Sequence, residues 1–520
     1  MSDLSRREVM ISTATVAFAG SARATRTDHG TRRTTQESIS EPTGVKVGDI
    51  KGDRAVIWSR ADRPARMIAE IATTPEFDDA ETIRGPWALE NNDFTAKLDV
   101  DGLPQHEEIF YRVYFEDLEQ SDVRTEPLEG TFRTPPAGRR DVRFVWGGDV
   151  AGQGWGINPE FGGYQIFETM RQVDPDFLIH SGDAVYADDP LPEEQDLPDG
   201  GTWANVTTDA KTDVADTLDE FRGNYRYNLR DEHLRRFNAE VPVFAQWDDH
   251  EVLNNWYPGE ALPEDNPHDV KSVDLLAARG QRAYLEYMPT RTRVGETHYD
   301  SFPYGPSLEV FRLDMRNFRG PNTTNDQQTP GSETAFLGRE QLDWLKRAIH
   351  TSDATWKVIA ADQPISLVVP DGDDPPTYEA VANADDGAAQ GRELEIAELL
   401  AFLEHVGERN VVWLTADVHY TAAIRYDPGD AQFAEFDPFW EFVTGPFHAG
   451  TFGPNELDRT FGPTVEFERA PDEGESNLPP SAGLQFFGQV DIDGSTEVMT
   501  VTLKDIEGSE LYTQELSPER

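Results

Sequence analysis

Four short apolar runs recur along this chain, and each ends on an island of acids or histidines. Arg143-Phe144-Val145-Trp146 leads into Gly147-Gly148-Asp149, and Phe177-Leu178-Ile179-His180 leads into Ser181-Gly182-Asp183-Ala184-Val185-Tyr186. Val241-Pro242-Val243-Phe244-Ala245 runs on to Trp247-Asp248-Asp249-His250-Glu251, and Val411-Val412-Trp413-Leu414 to Thr415-Ala416-Asp417-Val418-His419. Runs of this length, partly β-branched, predict buried strands. Between Arg392 and Val406, Ile396, Leu399, Leu400, Leu403 and Val406 recur at spacings of three and four, which predicts a helix feeding the strand at Val411. Glu340 to Lys346 leading into Trp356 to Ala361 predicts a second helix–strand unit. Strand, helix, strand is the rhythm of a layered α/β domain. Ligands in such folds bind outside the carboxyl ends of the strands, so acids placed there can converge.

The first part of the chain has a different pattern. From Val45 to about Thr134 it predicts short strands separated by turns: Arg54 to Ser59, Ile109 to Phe115 and Gly130 to Thr134, with turn signals at Gly52-Asp53 and Asp101-Gly102. That is the size and rhythm of an all-β immunoglobulin-like sandwich over residues 41–136, bounded by Pro135-Pro136-Ala137-Gly138. The α/β domain then occupies 137–520. Near its end, Leu484 to Gly488, Glu497 to Lys504 and Leu511 to Thr513 predict antiparallel strands that complete a sheet, with a turn at Asp493-Gly494. At the other end, Arg6-Arg7, an uncharged apolar stretch from Val9 to Gly20 and an Ala22-Arg23-Ala24 exit match the plan of a twin-arginine signal peptide over 1–24. That stretch is too short to span a bilayer. Residues 25–40, rich in Thr, Arg and Ser, read as a linker.

Charge narrows the classes of function. A formal charge of −51 is spread along the chain, and only eight of the 46 basic residues are lysine. An acid-rich, lysine-poor composition resembles that of proteins from brine, where near 1 M salt the Debye length falls to about 3 Å and self-repulsion is screened. The 11 Trp and 28 Phe argue against a disordered acidic chain. A polyanionic surface makes nucleic acid a poor partner. The absence of cysteine excludes disulfides, zinc–thiolate sites and thiol nucleophiles together.

Asp, His, Asn and Tyr at strand ends suit a hard or borderline metal ion. Two metals bridged by one carboxylate can clamp a phosphate and activate water, a nearby histidine can move a proton, and Arg222, Arg226 or Arg316 can pair with phosphate oxygens. Taken in order, Asp149, Gly182 to Tyr186, Trp247 to Glu251 with Asn254-Asn255, Leu313-Asp314-Met315-Arg316 and Asp417-Val418-His419 resemble the motifs of PhoD-type alkaline phosphatases, relatives of the calcineurin-like metallophosphoesterases. The resemblance spans about residues 41–515 and implies a metallophosphoesterase domain, phosphoester substrates, a metal-activated water and the twin-arginine export machinery as partner. It places metal ligands at Asp149, Asp183, Tyr186, Asp417 and His419, with Asp249 and Asn254 or Asn255 alongside, and makes Asp183 the bridging acid. Fe(3+) and Ca(2+) are the implied cofactors, other divalent metals being the alternative. His250 becomes the acid near the leaving group, with Asp249 and Arg316 beside it. One departure bears on the metal: where the best-known branch carries a cysteine in its first motif, this chain offers Asp149, a harder ligand.

Other readings attach to the same residues. In so acidic a chain Asp188 and Asp189 read as surface solvation, His180 as a core histidine, Asp248 as a partner orienting His250, Asp314 and Arg316 as an ion pair, and His448 as a loop residue. The competing functions are a phospholipase-like or nucleotide-directed hydrolase of the same fold, and a non-catalytic surface binding protein. Strand-end acids count against the last, since a scaffold has no use for four such islands. The loops Pro190 to Thr217 and Pro370 to Gln390, where leaving-group specificity is expected, carry no readable signal.

Overall fold

The parallel strands expected before the acidic islands form and lie in two sheets. The structure is a computed structural model that describes residues 43–519 except 121, 294 and 374. The signal peptide expected at 1–24 and the linker at 25–40 lie outside the described residues. In a nine-stranded sheet, Val142–Gly147, Phe177–Ser181 and Val243–Gln246 run parallel side by side. In a seven-stranded sheet, Leu308–Arg312, Trp356–Ala360, Val411–Thr415 and Phe439–Val443 do the same. The C-terminal strands Phe486–Ile492, Met499–Asp505 and Glu510–Leu516 extend the first sheet antiparallel from Val142–Gly147, as their alternation predicts.

Apolar contacts order the layers. Phe144, Trp146, Phe177 and Phe244 of the first sheet share one core with Val310, Val358, Val412 and Phe442 of the second. Helices Gln165–Gln172, Leu218–Asn228, Glu232–Glu240 and Val273–Tyr287 contribute to a core on the first sheet's other face. Helices Gly338–Thr351 and Glu393–Val406 pack in a third core with residues of the second sheet. The order is helix, sheet, sheet, helix.

The N-terminal segment is all β, as expected, and its two sheets have different fates. Glu81–Ala88, Ala65–Ala72, Glu108–Asp117 and Leu128–Arg133 form a four-stranded sheet of their own. Val45–Lys51, Arg54–Arg60 and Thr95–Val100 continue the nine-stranded sheet through a parallel bridge between Gly48 and Val243. A Cβ at Gly48 would sit 2.5 Å from the Val243 carbonyl oxygen, so the junction requires glycine. Residues of the sandwich, among them Met67, Ala69, Tyr111 and Val113, belong to the same core as the two sheets.

Cross-sheet bonds draw the strand ends together. The Gln246 amide donates to the carbonyls of Leu313 and Ala360 at 3.2 and 3.0 Å, and the Trp146 indole donates to Thr415 O at 3.3 Å. The acids that follow these strands therefore meet at one edge. Among the described residues no helix is long and apolar enough to cross a membrane.

Candidate metal centre

Three overlapping groups of ligand atoms gather at that edge: Asp149, Asp183 and His419; Asp183, Asp249 and His250; Asp248, Asp249 and Asp417. Within each group the atoms lie within 4.8 Å of one another. Asp183 is common to the first two groups and Asp249 to the last two. The backbone is bent to achieve this. Asp149, Asp183, Asp417, His419 and Asn255 all take positive φ, between 51° and 69°, a region L-residues rarely adopt and one that clusters at functional sites. Gly182, at φ 97°, lets the chain pass the Asp248 side chain, where a Cβ would come within 2.4 Å.

Glu251 ties two of these turns together. Its buried carboxylate accepts from the main-chain N–H of Asp248 at 2.9 Å, Ala184 at 2.8 Å and Asp183 at 3.3 Å. Burial pushes its pKa up to about 8 in spite of those donors. Tyr186 stands at the opposite wall, fully buried, its hydroxyl 2.8 Å from His419 Nε2 and 3.5 Å from Asp149 Oδ1. His419 donates from Nδ1 to the Gly450 carbonyl at 2.5 Å, which leaves the Nε2 lone pair facing Asp149 Oδ1, 3.2 Å away. The Tyr186 ring fits because position 152 is glycine: a Cβ there would lie 2.6 Å from it.

The donor set fits a metal cation. Asp149 Oδ2 and Asp249 Oδ1 are buried without a hydrogen-bond partner, a condition that costs free energy unless a cation or donor meets them. Burial, followed by the facing carboxylates of Asp249, Asp248, Glu251 and Asp149, drives the Asp183 carboxyl well above the usual range. Asp417 is raised in the same way, by burial and then by Glu379, Asp248 and Asp249. These are buried acids repelling one another, and a bound cation relieves that repulsion.

His250 borders the cluster, and the residue that orients it is Asp188. Its Nδ1 lies 2.7 Å from Asp188 Oδ1, while Asp188 Oδ2 accepts from the Asn254 N–H at 2.7 Å. Nε2 thereby faces Asp249 Oδ1 at 4.0 Å. Burial alone lowers the imidazole pKa, and the carboxylates of Asp188 and Asp249 overcome it and raise the value to about 10. Asp188 had read as surface solvation. The available signal is its position two residues beyond Tyr186, just past the end of that island.

Asp248 does not orient His250. It binds Arg316, whose Nε and Nη2 lie 2.6 and 2.5 Å from its Oδ1. Arg316 also contacts Glu379 and sits 3.8 Å from Asp249 Oδ2. With no exposed surface and its guanidinium taken up by Asp248 and Glu379, Arg316 supports the acids from behind, which corrects its assignment as a catalytic residue. It does not pair with the Asp314 side chain through its guanidinium either; Asp314 accepts from the main-chain N–H groups of Arg316 and Asn317. The phosphate-clamp reading of Arg222 and Arg226 is corrected too. Arg222 is bound to Glu286 at 2.6 Å and to the Asn91 carbonyl, and Arg226 to Asp93 at 2.6 Å and Asp219 at 3.1 Å. Both guanidinium groups join helix Leu218–Asn228 to its neighbours, because burial favours pairing them with the nearest acids. Of the two asparagines, Asn254 is exposed, and Asn255 directs its amide to Asp371 Oδ1 at 2.9 Å while its N–H donates to Asp249 Oδ2 at 2.6 Å.

The PhoD-like phosphatase family matches residues 144–503, and that family's N-terminal domain matches residues 24–136. Alkaline phosphatase D of Bacillus subtilis (strain 168) is 26% identical over 405 residues, covering 72% of this chain and 64% of that protein, so the chain spans under two thirds of the length of this relative. A solved structure of PhoD superposes with a TM-score of 0.67 at 20% identity, over 92% of this chain and 89% of that one. A purple acid phosphatase from yellow lupin (Lupinus luteus) seeds superposes with a TM-score of 0.56 at 12% identity, over 92% and 74%. The two structural likenesses establish the fold, a layered α/β domain preceded by an all-β segment. With the family matched over more than half of its length, this chain belongs to the PhoD-like phosphatase family.

Proposed function

We propose that this chain hydrolyses phosphoric esters at a metal centre held by Asp149, Asp183, Tyr186, Asp249, Asp417 and His419, and that it acts outside the cytoplasm after twin-arginine export. The observation that carries the reading is the sharing of Asp183 between two ligand groups, the second of which includes His250, held by Asp188. Family membership supports the reaction class. A formal charge of −51 along the chain supports adaptation to high salt, and the twin arginines with the apolar stretch after them support export. Fe(3+) next to Tyr186 and Ca(2+) among the carboxylates is the assignment that follows from the family resemblance, and phenolate and carboxylate oxygens suit both ions. When bound, such a metal pair clamps phosphate oxygens and lowers the pKa of water toward neutrality.

The chain's own residues do the rest. The four aspartates supply the negative charge that retains the cations. Asp188 fixes the imidazole of His250 so that its Nε2 proton points across the cluster, where it can pass to the departing ester oxygen. Arg316 and Glu251 hold Asp248 and the two ligand turns in register. The burial of Asp149, Asp183 and Asp249 keeps bulk water away from the charges and strengthens every interaction among them.

The test is hydrolysis of p-nitrophenyl phosphate and bis(p-nitrophenyl) phosphate in molar NaCl, before and after chelation and with iron, calcium or manganese restored. Metal-dependent release of nitrophenol is expected. A purified, folded protein that hydrolyses neither ester with any of these metals would refute the proposal.

A further inference from the structure

Behind the ligand turn 249–255 lies a set of buried cations that the reaction does not touch. Arg319 and Arg392 are both almost without exposed surface. Arg319 pairs with Glu379 at 2.9 Å, while Arg392 pairs with no carboxylate among the described residues and donates to the carbonyl oxygens of Tyr378, Gly320 and Pro321 at 2.9, 3.0 and 3.1 Å. The two guanidinium groups converge on one neutral atom: Asn322 Oδ1 accepts from Arg319 at 3.0 Å and from Arg392 at 2.9 Å. A guanidinium has no acceptor, so this convergence dictates the orientation of the Asn322 amide. Its Nδ2 must face the other way, and there it donates to the main-chain carbonyl of Asn255 at 2.8 Å. The N–H of the same Asn255 donates to Asp249 Oδ2 at 2.6 Å, and its backbone is held at φ 57°.

From this geometry we infer that Asn322 is a positioning residue for the metal centre: two buried arginines orient and polarise its amide, which clamps the left-handed Asn255 and thereby fixes the Asp249 carboxylate. The inference rests on the proposed metal centre and adds a residue, outside every motif of the sequence, that controls it. Hydrogen bonds in such a chain polarise one another, so the donor reaching Asn255 is stronger than an isolated amide. Without that clamp a non-glycine residue at positive φ relaxes, and the bond from Asn255 to Asp249 loosens with it.

Asn322→Asp separates this role from a merely structural one. The carboxylate keeps the shape and gains charge pairing with Arg319 and Arg392, but it loses the donor and sets an oxygen against the Asn255 carbonyl. Asn322→Ala removes both functions. Two readouts are followed on the full-length protein in molar NaCl: melting temperature, and loss of as-purified metal to stepwise EDTA, with kcat and KM recorded alongside. The expected result is a melting temperature in Asn322→Asp at or above that of the parent, with metal released on the order of tenfold more readily and kcat lowered in proportion, the size of one hydrogen bond left unmade. Asn322→Ala should release metal to the same degree while melting lower. Metal retention like the parent's in Asn322→Asp would overturn the inference, as would metal loss that tracks melting temperature across the two variants. Should the parent itself hydrolyse no ester, the proposed activity fails, and the metal-retention readout still decides the role of Asn322.

Discussion

Replacing Asp188 with asparagine tests the arrangement at its most specific point. Asp188 Oδ1 receives the Nδ1 proton of His250 at 2.7 Å and Oδ2 receives the Asn254 N–H at 2.7 Å, so both oxygens are engaged and neither can become an NH2 group without loss. If the amide nitrogen turns toward Asn254, two donors face each other. If it turns toward His250, the imidazole must give up its Nδ1 proton and Nε2 is protonated in the neutral ring, a tautomer that no longer carries the charge Asp188 sustains. A hydrogen bond to a charged group is worth about 1.5–3 kcal/mol. At about 1.4 kcal/mol per factor of ten, Asp188→Asn should lower kcat/KM roughly 10- to 150-fold. The loss should fall on kcat, because Asp188 bonds to His250 and Asn254 and to none of the six proposed metal ligands, and the fold should hold, because the helices and sheets do not depend on this contact. Steady-state kinetics on p-nitrophenyl phosphate, with melting temperature and metal content as controls, gives the answer. A variant within twofold of the parent in kcat/KM, with metal retained, would show that Asp188 does not orient a catalytic histidine.

Four further outcomes are expected. Asp183→Ala should lose most bound metal together with turnover while retaining its circular-dichroism spectrum; full metal stoichiometry by elemental analysis would sink its role as the shared ligand. If the ion beside Tyr186 is ferric, the purified protein should be coloured and Tyr186→Phe should bleach it; a colourless, fully active enzyme holding only calcium, magnesium or manganese would refute the iron assignment. Dilution from about 1 M to 0.1 M salt lengthens the range of repulsion from roughly 3 to 10 Å, so the melting temperature of a chain with −51 formal charge should fall, and an unchanged value would count against adaptation to brine. Of the eight lysines only Lys51 is exposed; five donate to main-chain carbonyls and three pair with glutamates. Glu441 is buried beneath donors from Ile365, Thr415 and Tyr426, and burial raises its pKa to about 7. The folded state then binds the proton more tightly than the unfolded one, so stability falls as pH rises from the ordinary glutamate range to about 7 and stays low above it. Glu441→Gln should flatten that fall in denaturant melts; an identical pH dependence in both proteins would exclude ionisation of Glu441 as its cause.

Local pattern alone determined much of this protein. The strands before Asp149, Asp183, Asp249 and Asp417 are legible because a buried parallel strand must be a short continuous apolar run, and helix Glu393–Val406 because one face of it is apolar at helical spacing. The acids and histidines of the proposed metal centre are legible for a related reason: the carboxyl ends of parallel strands share one edge, so residues that follow such strands meet. What surrounds the ligands was decided only by the tertiary structure. Arg222, Arg226 and Arg316 carry the same side chain in the sequence, and nothing local says that two of them join helix to sandwich while the third is sealed beneath Asp248. Asp188 and Asp189 are neighbours of one type, yet one orients His250 because its turn brings it to the imidazole. Asn322 and Glu379 lie in stretches without periodicity, and they meet Arg392, at the start of its helix, only when the turn after Arg316 folds back over Asn255. The continuation of the first sheet into the N-terminal strands follows from the Gly48–Val243 bridge. A charge in sequence has no partner until long-range packing supplies one, and in this interior each partner is chosen by the cost of leaving a buried charge alone.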